Sequence, residues 1–407
     1  MPISRRAVLG SATAGALALP FRRARAQKPT IRIGVLNDQS GTYRDTTGMT
    51  SVECTRQAVE EFGNQGFDIE VTYADHQNKP DVGTSIARQW FDQGVDMLID
   101  VPASSVALAV QSVAKEKNKV YVNTSAGTAA LTGEQCSPNC VHWTFDTYML
   151  AKSTGGAMVK AGGDTWFFIT ADYAFGQQLQ KDTTNFVRQE GGKIVGAVAY
   201  PFPETTDFSA LLVQAASSGA KVLGLCNAGT DVVNSIKQAH EFGVQNSMKM
   251  ATLLLFINDV HSMGLDVAQG LFLTESFYWD LNDRTRAFTK RVLPKLAGHY
   301  PNMNHAGNYG GTLHYLKTVA AMGPAAAKAD GRATVARMKS IPCDDDAFGK
   351  SQIREDGRNL VTSYLFEVKT PAESKYAWDY YKLVATTPGT QAFRPLSEGH
   401  CSFVKPA

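Results

Sequence analysis

Apolar residues fall along this chain in two alternating patterns. Short continuous runs, such as TIRIGVL at 30–36, TWFFI at 165–169 and VLGLC at 222–226, have the make-up of strands buried on both faces. Between the runs apolar positions recur at helical spacing. Val82, Ile86 and Trp90 form one such stripe, Val106, Val110 and Val113 another, and Phe175, Leu179 and Phe186 a third. The first part predicts strands at 30–36, 67–73, 95–101 and 119–122, with helices near 48–62, at 81–91 and from Ser104 onward. The segment 136–148, CSPNCVHWTFDTY, breaks the rhythm, which then restarts. Helices follow at 151–160, 173–189, 208–217 and 230–242, and strands at 165–169, 194–199, 222–226, 248–255 and 270–274. Such alternation predicts α/β architecture with mostly parallel sheets: two Rossmann-like lobes with a ligand cleft between them.

Beyond Glu275 the pattern is mostly helical, at 284–296, 306–322 and 331–339, with late strands at 352–354 and 361–368 and a wrapping tail. These helices lack the strands for a third sheet, so they are expected to complete the first lobe. The expected division is 27–146 plus 276–361 for the N-terminal lobe and 147–275 plus 362–407 for the C-terminal lobe and tail. The lobes would hinge near 145–149, 275–277 and 361–365.

Chemistry enters where the strands end. Two successive strands run into hydroxyl-rich turns, DVPASS at 100–105 and NTSAGT at 123–128. In a parallel sheet the carboxyl ends of neighbouring strands share one edge, where ligands bind. Hydroxyls and free amides at a helix start suit a carboxylate or another anion. One such turn is most simply a helix cap; two side by side point to a site.

Composition narrows the class. With 43% hydrophobic residues the 407-residue chain can bury sizeable cores. Residues 1–26 read as a targeting segment: SRRAVLG carries paired arginines, an Ala- and Gly-rich apolar stretch follows, and Ala24-Arg25-Ala26 fits a cleavage site before Gln27. The paired arginines favour a Tat-type signal peptide over an ordinary Sec signal or a retained anchor, and an exported, periplasmic protein is expected. Removal of residues 1–26 takes five arginines and no acid from 40 basic and 38 acidic residues, leaving a net charge of −3 and no basic excess for nucleic acid. In an oxidising compartment Cys136 can pair with Cys140 or with Cys401, while Cys226, at the end of an apolar strand, is expected to stay a buried thiol. The spacing fits no zinc site. Neither Gly-x-Ser-x-Gly nor HExxH appears, His76, His142 and His305 are scattered, and the paired glycines at 162–163 and 191–192 precede strands as turns. The chain is expected to be neither an enzyme nor a cofactor carrier.

The order of elements, the two turns and the export signal resemble the type I periplasmic binding proteins, in particular the leucine/isoleucine/valine-binding family, whose members feed ABC importers. IRIGVLNDQSG resembles that family's first strand and turn, VPASS and NTSAGTAALT its two carboxylate-holding turns, and TADYAFGQQLQ the entry to its second lobe. The resemblance covers most of 30–368. It implies that the Ser104 hydroxyl binds the ligand carboxylate and that Ser125 and Gly127 hold the same group largely through the backbone, with Thr128 as a neighbouring hydroxyl. It makes Phe175 an aromatic wall with Tyr173 just before it. Ala228 falls where the family has a Tyr, with Asn227 adjacent, and His305 where it has a Phe, with Asn308 and Tyr309 close by.

One departure stands out. Amino-acid binders of the family place an acid after the strand at 248–255 to pair with the ligand's ammonium; here Leu253, Leu254, Leu255 and Phe256 stand there. Burying an ammonium without a counter-charge costs several kcal/mol, so a ligand without one is expected. Asp259 could supply the charge only if the correspondence slips. Phe175, Phe256, Phe277, Tyr278 and Trp279 suggest an aromatic surround, although the last three also fit hinge packing. The resemblance thus implies a monomeric solute-binding component of an ABC importer that closes around a small apolar carboxylate, an aromatic acid, and docks on a membrane permease. A branched-chain amino acid or short-amide binder, and a sensor of the same fold, are the alternatives.

Overall fold

Strands β3 (Met97–Asp100) and β4 (Val120–Asn123) are buried at every position. This is the signature of central parallel strands covered on both faces. With β1 (Thr30–Asn37), β2 (Asp68–Asp75) and β5 (Cys140–His142) they form a parallel sheet in the order β2-β1-β3-β4-β5. The computed structural model of the chain describes residues 28–404, so the expected signal peptide lies outside the described residues. One face of this sheet presents Ile31, Ile33, Met97, Ile99, Val120 and Val122 to Tyr315, Leu316 and Val319 of the helix Met303–Met322. The late helices therefore do pack on the first sheet.

The second sheet holds β6 (Thr165–Ala171), β7 (Lys193–Tyr200), β8 (Val222–Cys226), β9 (Lys249–Thr252), β10 (Phe272–Glu275) and two antiparallel additions. A small hairpin of β11 (Cys343–Asp345) and β12 (Gly349–Ser351) precedes these additions, β13 (Ser363–Val368) and β14 (Tyr381–Thr387). The order is β14-β13-β10-β9-β8-β6-β7.

Several expectations need correction. The tail contributes β14, an edge strand; Leu383 and Val384 on it are about half exposed, so no buried run marks it. The strand expected at 352–354 is replaced by the β11–β12 hairpin and a single bridge between Ile353 and Asn359. The break at 136–148 contains β5. Strand β9 stops at Thr252, which releases 253–256 as a loop. The helix expected at 151–160 begins at Thr147, capped by the Asp146 side chain on the Met149 N–H (2.9 Å), and widens into a π turn at Ala151–Gly155. Of the two cysteine pairings left open, Cys136–Cys401 forms; Cys140 and Cys226 are buried thiols. The disulfide and an Arg394 Nη2 bond to the Ala129 carbonyl (3.1 Å) tie the tail to the first lobe.

Candidate functional site

The carboxyl edges of the two sheets face each other. After β1, the buried Asp38 carboxylate accepts the N–H groups of Gly41 (2.6 Å) and Tyr43 (2.8 Å), winding a turn that carries Tyr43 to the cleft. After β3, Asp100 and Val101 adopt positive φ (88° and 60°) and swing the chain into Pro102 and the helix Ser104–Glu116. After β4 comes the turn 124–128. From the other lobe come Tyr173 after β6, the turn 227–229 after β8 and the loop 253–256 after β9.

Together they line a narrow cavity of about 10 Å3, roughly the room one water needs. Tyr43, Pro102, Ser125, Gly127 and Asn304 form one wall, and Tyr173, Phe175, Ala228, Leu254 and Phe256 the other. The lobes are closed over it. The Tyr43 and Tyr173 hydroxyls hydrogen-bond across the cleft, Tyr173 stacks on Phe202 with ring centroids 4.1 Å apart, and the Thr230 N–H donates to the Thr42 carbonyl (3.1 Å). Burial pushes both phenol pKa values up, so both stay neutral.

The cavity wall carries no charged side chain among the described residues. Polar character comes from a few groups. The Ser125 hydroxyl donates to the buried Asp100 carboxylate, which also accepts from Asn37 Nδ2 (2.9 Å). Burial pushes the Asp100 pKa up, against the pull of these bonds. With its proton committed, Ser125 offers the cavity its amide. The N–H groups of Ser125 and Gly127 make no hydrogen bond to the described residues and are two free donors at this end. Gly127 lies so close to Phe175 and Phe145 that an added Cβ would stand 2.7 and 2.8 Å from their rings.

Of the ten residues singled out by sequence, Ser125, Gly127, Tyr173, Phe175, Ala228 and Leu254 line the cavity. The other four stand behind its wall. Ser104, fully buried, accepts the Thr128 N–H (3.2 Å) and so shapes the second turn. Thr128 Oγ1 accepts the Ala130 N–H (3.4 Å), capping a short 3-10 turn. Asn227 Nδ2 donates to Ser235 Oγ (3.0 Å), tying its turn to the next helix. His305 is a structural residue rather than a ligand donor. Its Nδ1 accepts the Asn302 N–H (3.1 Å), its Nε2 donates to the Thr47 carbonyl (3.1 Å), and burial lowers its pKa to about 3. The run 277–279 takes its other expected role. Phe277 packs on Phe288, and Tyr278 Oη and Trp279 Nε1 both donate to the Trp378 carbonyl (3.2 and 2.9 Å). Sequence reasoning missed Tyr43, Pro102 and Asn304. Pro102 sat inside the quoted VPASS motif, and Asn304 is one position from His305 on a helical turn.

Asp259 does not reach the cavity. Its carboxylate accepts the Phe256 N–H (2.9 Å) as a helix cap and borders a separate space of about 350 Å3 that Asp45 and Asn258 also line. Burial pushes its pKa up to about 8. Between about pH 4 and 8 the unfolded chain has released this proton and the folded one keeps it, so stability falls as pH rises through that window. Below about pH 6.5 the buried His76, His305 and His314, with lowered pKa values, oppose the trend. Above about pH 6.5 the histidines no longer oppose it, and Asp231, raised by burial to about 7, and Glu275, also raised, add to the fall, so the share of Asp259 is the difference between wild type and variant over about pH 6.5–8. There Asp259→Asn, which keeps an acceptor for Phe256, is expected to flatten the fall of the unfolding midpoint by at most about 2 kcal/mol. A denaturant series at several pH values checks this; parallel wild-type and variant curves would refute it.

A family model described as periplasmic binding protein matches residues 30–375. The crystal structure of a periplasmic binding protein from Burkholderia mallei is 47% identical over 92% of this chain and 99% of that one, with a TM-score of 0.89. A branched chain amino acid ABC transporter periplasmic ligand-binding protein from Burkholderia xenovorans LB400 is 37% identical over 92% and 99%, with a TM-score of 0.80. An ABC transporter solute binding protein from R. palustris, in complex with benzoate, shares the fold at 20% identity over 88% and 97%, with a TM-score of 0.77. Among curated proteins no match is found.

Proposed function

The chain belongs to the periplasmic binding protein family, the solute-binding proteins of ABC transporters, and from that premise we propose that its ligand is a small apolar carboxylate, in the first place an aromatic acid. The observation that carries this reading is the uncharged cavity wall, with free amides at Ser125 and Gly127 and rings at Phe175 and Phe256. Backbone amides hold a carboxylate well in a water-poor site. The α-ammonium of an amino acid would find no counter-charge there. The acids nearby are engaged elsewhere: Asp259 caps its own helix, Asp231 accepts from Tyr200 (2.8 Å) and Glu275 from Tyr381 (3.1 Å). The benzoate of the R. palustris protein agrees with the aromatic reading. The description of the Burkholderia xenovorans relative favours a branched-chain amino acid, which keeps that reading as the one to test against.

The mechanism follows from the two walls. The acid docks first on the turns at 102 and 125–127. Tyr173, Phe175 and the 253–256 loop then add contacts that exist only in the closed form, and closure is the resulting population shift. No bond is made or broken. The closed form presents both lobes to a permease, and the Arg5-Arg6 pattern supports export by the Tat route. A thermal-shift screen of residues 27–407 tests the ligand class with benzoates, cinnamates, aliphatic acids, branched-chain amino acids and short amides. A ligand that binds only the folded state raises the melting temperature by mass action. Shifts with aromatic acids and none with leucine or valine are expected; the reverse pattern would overturn the acid reading.

A further inference from the structure

We propose that Asn304 is a specificity-determining residue whose side-chain oxygen accepts a hydrogen bond from the ligand, so that the preferred ligand is an acid bearing a hydroxyl or amino donor on its apolar body. The proposal rests on the acid reading above for the other end of the ligand.

Asn304 is the second residue of the helix Met303–Met322 and is 1% exposed. It is also part of the cavity wall. Its environment fixes which way the amide faces. Asn304 Nδ2 donates to the Thr46 carbonyl (3.3 Å), and turning the group over would set its oxygen against that carbonyl, acceptor against acceptor. Asn304 Oδ1 is therefore directed away from Thr46, and it has no hydrogen-bond partner among the described residues.

The donors on its own helix start are spent. Asn302 Nδ2 serves both the Thr46 carbonyl (3.2 Å) and Asn258 Oδ1 (2.8 Å). The His305 ring N–H faces the Thr47 carbonyl, and the Asn304 and His305 backbone N–H groups go to Asn302 Oδ1 as the helix cap (2.9 and 3.1 Å). Leu254 and Phe256, which share the cavity with Asn304, carry no side-chain donor, and Tyr43 and Tyr173 spend one hydroxyl proton on each other and keep the second. A buried acceptor left unpaired is costly, and a donor on the ligand removes that cost at binding. The demand is for one neutral donor. A lone amide oxygen does not compensate an ammonium, which needs several acceptors and a counter-charge. A phenolic hydroxyl or an aromatic amine matches it. The cavity then complements a ligand at two points: amide donors at Ser125 and Gly127 for an anion, and one acceptor at Asn304 for a hydroxyl or amine.

Isothermal titration of the mature chain with benzoate and its hydroxy, amino and methoxy derivatives at each ring position tests this. The methoxy group keeps size and acceptor character but removes the donor. At one ring position the hydroxy and amino compounds are expected to bind at least about tenfold tighter than benzoate and than the methoxy analogue. In Asn304→Leu the ratio of hydroxy to methoxy affinity at that ring position should fall to about threefold or less. Equal binding of hydroxy and methoxy compounds at every position of the wild type, or a preference that survives in Asn304→Leu, overturns the role of Asn304 and leaves the acid reading standing. Should the variant fail to fold, the wild-type series alone decides. Failure of every benzoate to bind overturns the acid reading, and this proposal with it.

Discussion

Gly229→Val is expected to weaken ligand binding on the order of 100-fold and to leave the protein open in the presence of ligand. Gly229 ends the turn after β8 at φ 62° and ψ −139°. An added Cβ there would stand 2.4 Å from the Thr42 carbonyl oxygen and 3.0 Å from the Tyr43 ring. Thr42 belongs to the opposite lobe, and the neighbouring Thr230 N–H donates to that same carbonyl (3.1 Å). The obstacle is backbone on both sides, so no rotamer relieves it. Two costs separate cleanly. The strained φ is present in open and closed forms alike and lowers overall stability by roughly 1–3 kcal/mol. The clash exists only in the closed form, and a closure penalty of about 3 kcal/mol reduces affinity by about two orders of magnitude. Titration gives the affinity and small-angle scattering the opening. Wild-type affinity in the variant would mean that the ligand-bound state does not use this lobe contact.

Leu254→Glu is expected to abolish binding of the proposed acids at neutral pH, a loss beyond about 100-fold. Leu254 is 3% exposed and stands in the cavity wall with Phe175 and Ala228. A carboxylate placed there would be desolvated on closure and would meet the ligand's own carboxylate; one such uncompensated charge costs several kcal/mol. In the open form the same side chain reaches water, so folding is tolerated. Two further results follow. Acid binding should partly return as pH is lowered, since burial raises the pKa of the new carboxyl. Leucine or valine should now raise the melting temperature, because their ammonium would neutralise the introduced carboxylate. Undiminished binding of benzoates by the variant would remove Leu254 from the site.

The two patterns of apolar spacing were enough to read the central parallel strands of both sheets, because central strands and amphipathic helices carry their burial in their local periodicity. The edge strand β14 was not legible, since Leu383 and Val384 are about half exposed and leave no such trace. Neither was the hairpin at Cys343–Ser351, whose strands are three residues each. At the site, the turns ending β3 and β4 were visible as hydroxyl clusters, and the missing acid at 253–256 was visible as leucines. The members of each cluster were not interchangeable, however. Ser104 and Thr128 bond to backbone while Ser125 and Gly127 reach the cavity. His305 and Asn304 are neighbours on one helix; one caps its helix start and the other faces the cavity.

By itself, then, the sequence determined the alternation of the central strands and helices, the hydroxyl-rich turns at one shared sheet edge, and the absence of an acid in the 253–256 loop. Only the tertiary structure decided that Cys136 pairs with Cys401, that Asp259 turns into its own helix cap, and that Tyr43 meets Tyr173 across the cleft. The division has a physical reason. Burial within a strand or helix repeats with the geometry of that element and can be read locally. The direction of a side chain in a turn is set by partners far along the chain, in this protein in the opposite lobe, and no period in the sequence records it.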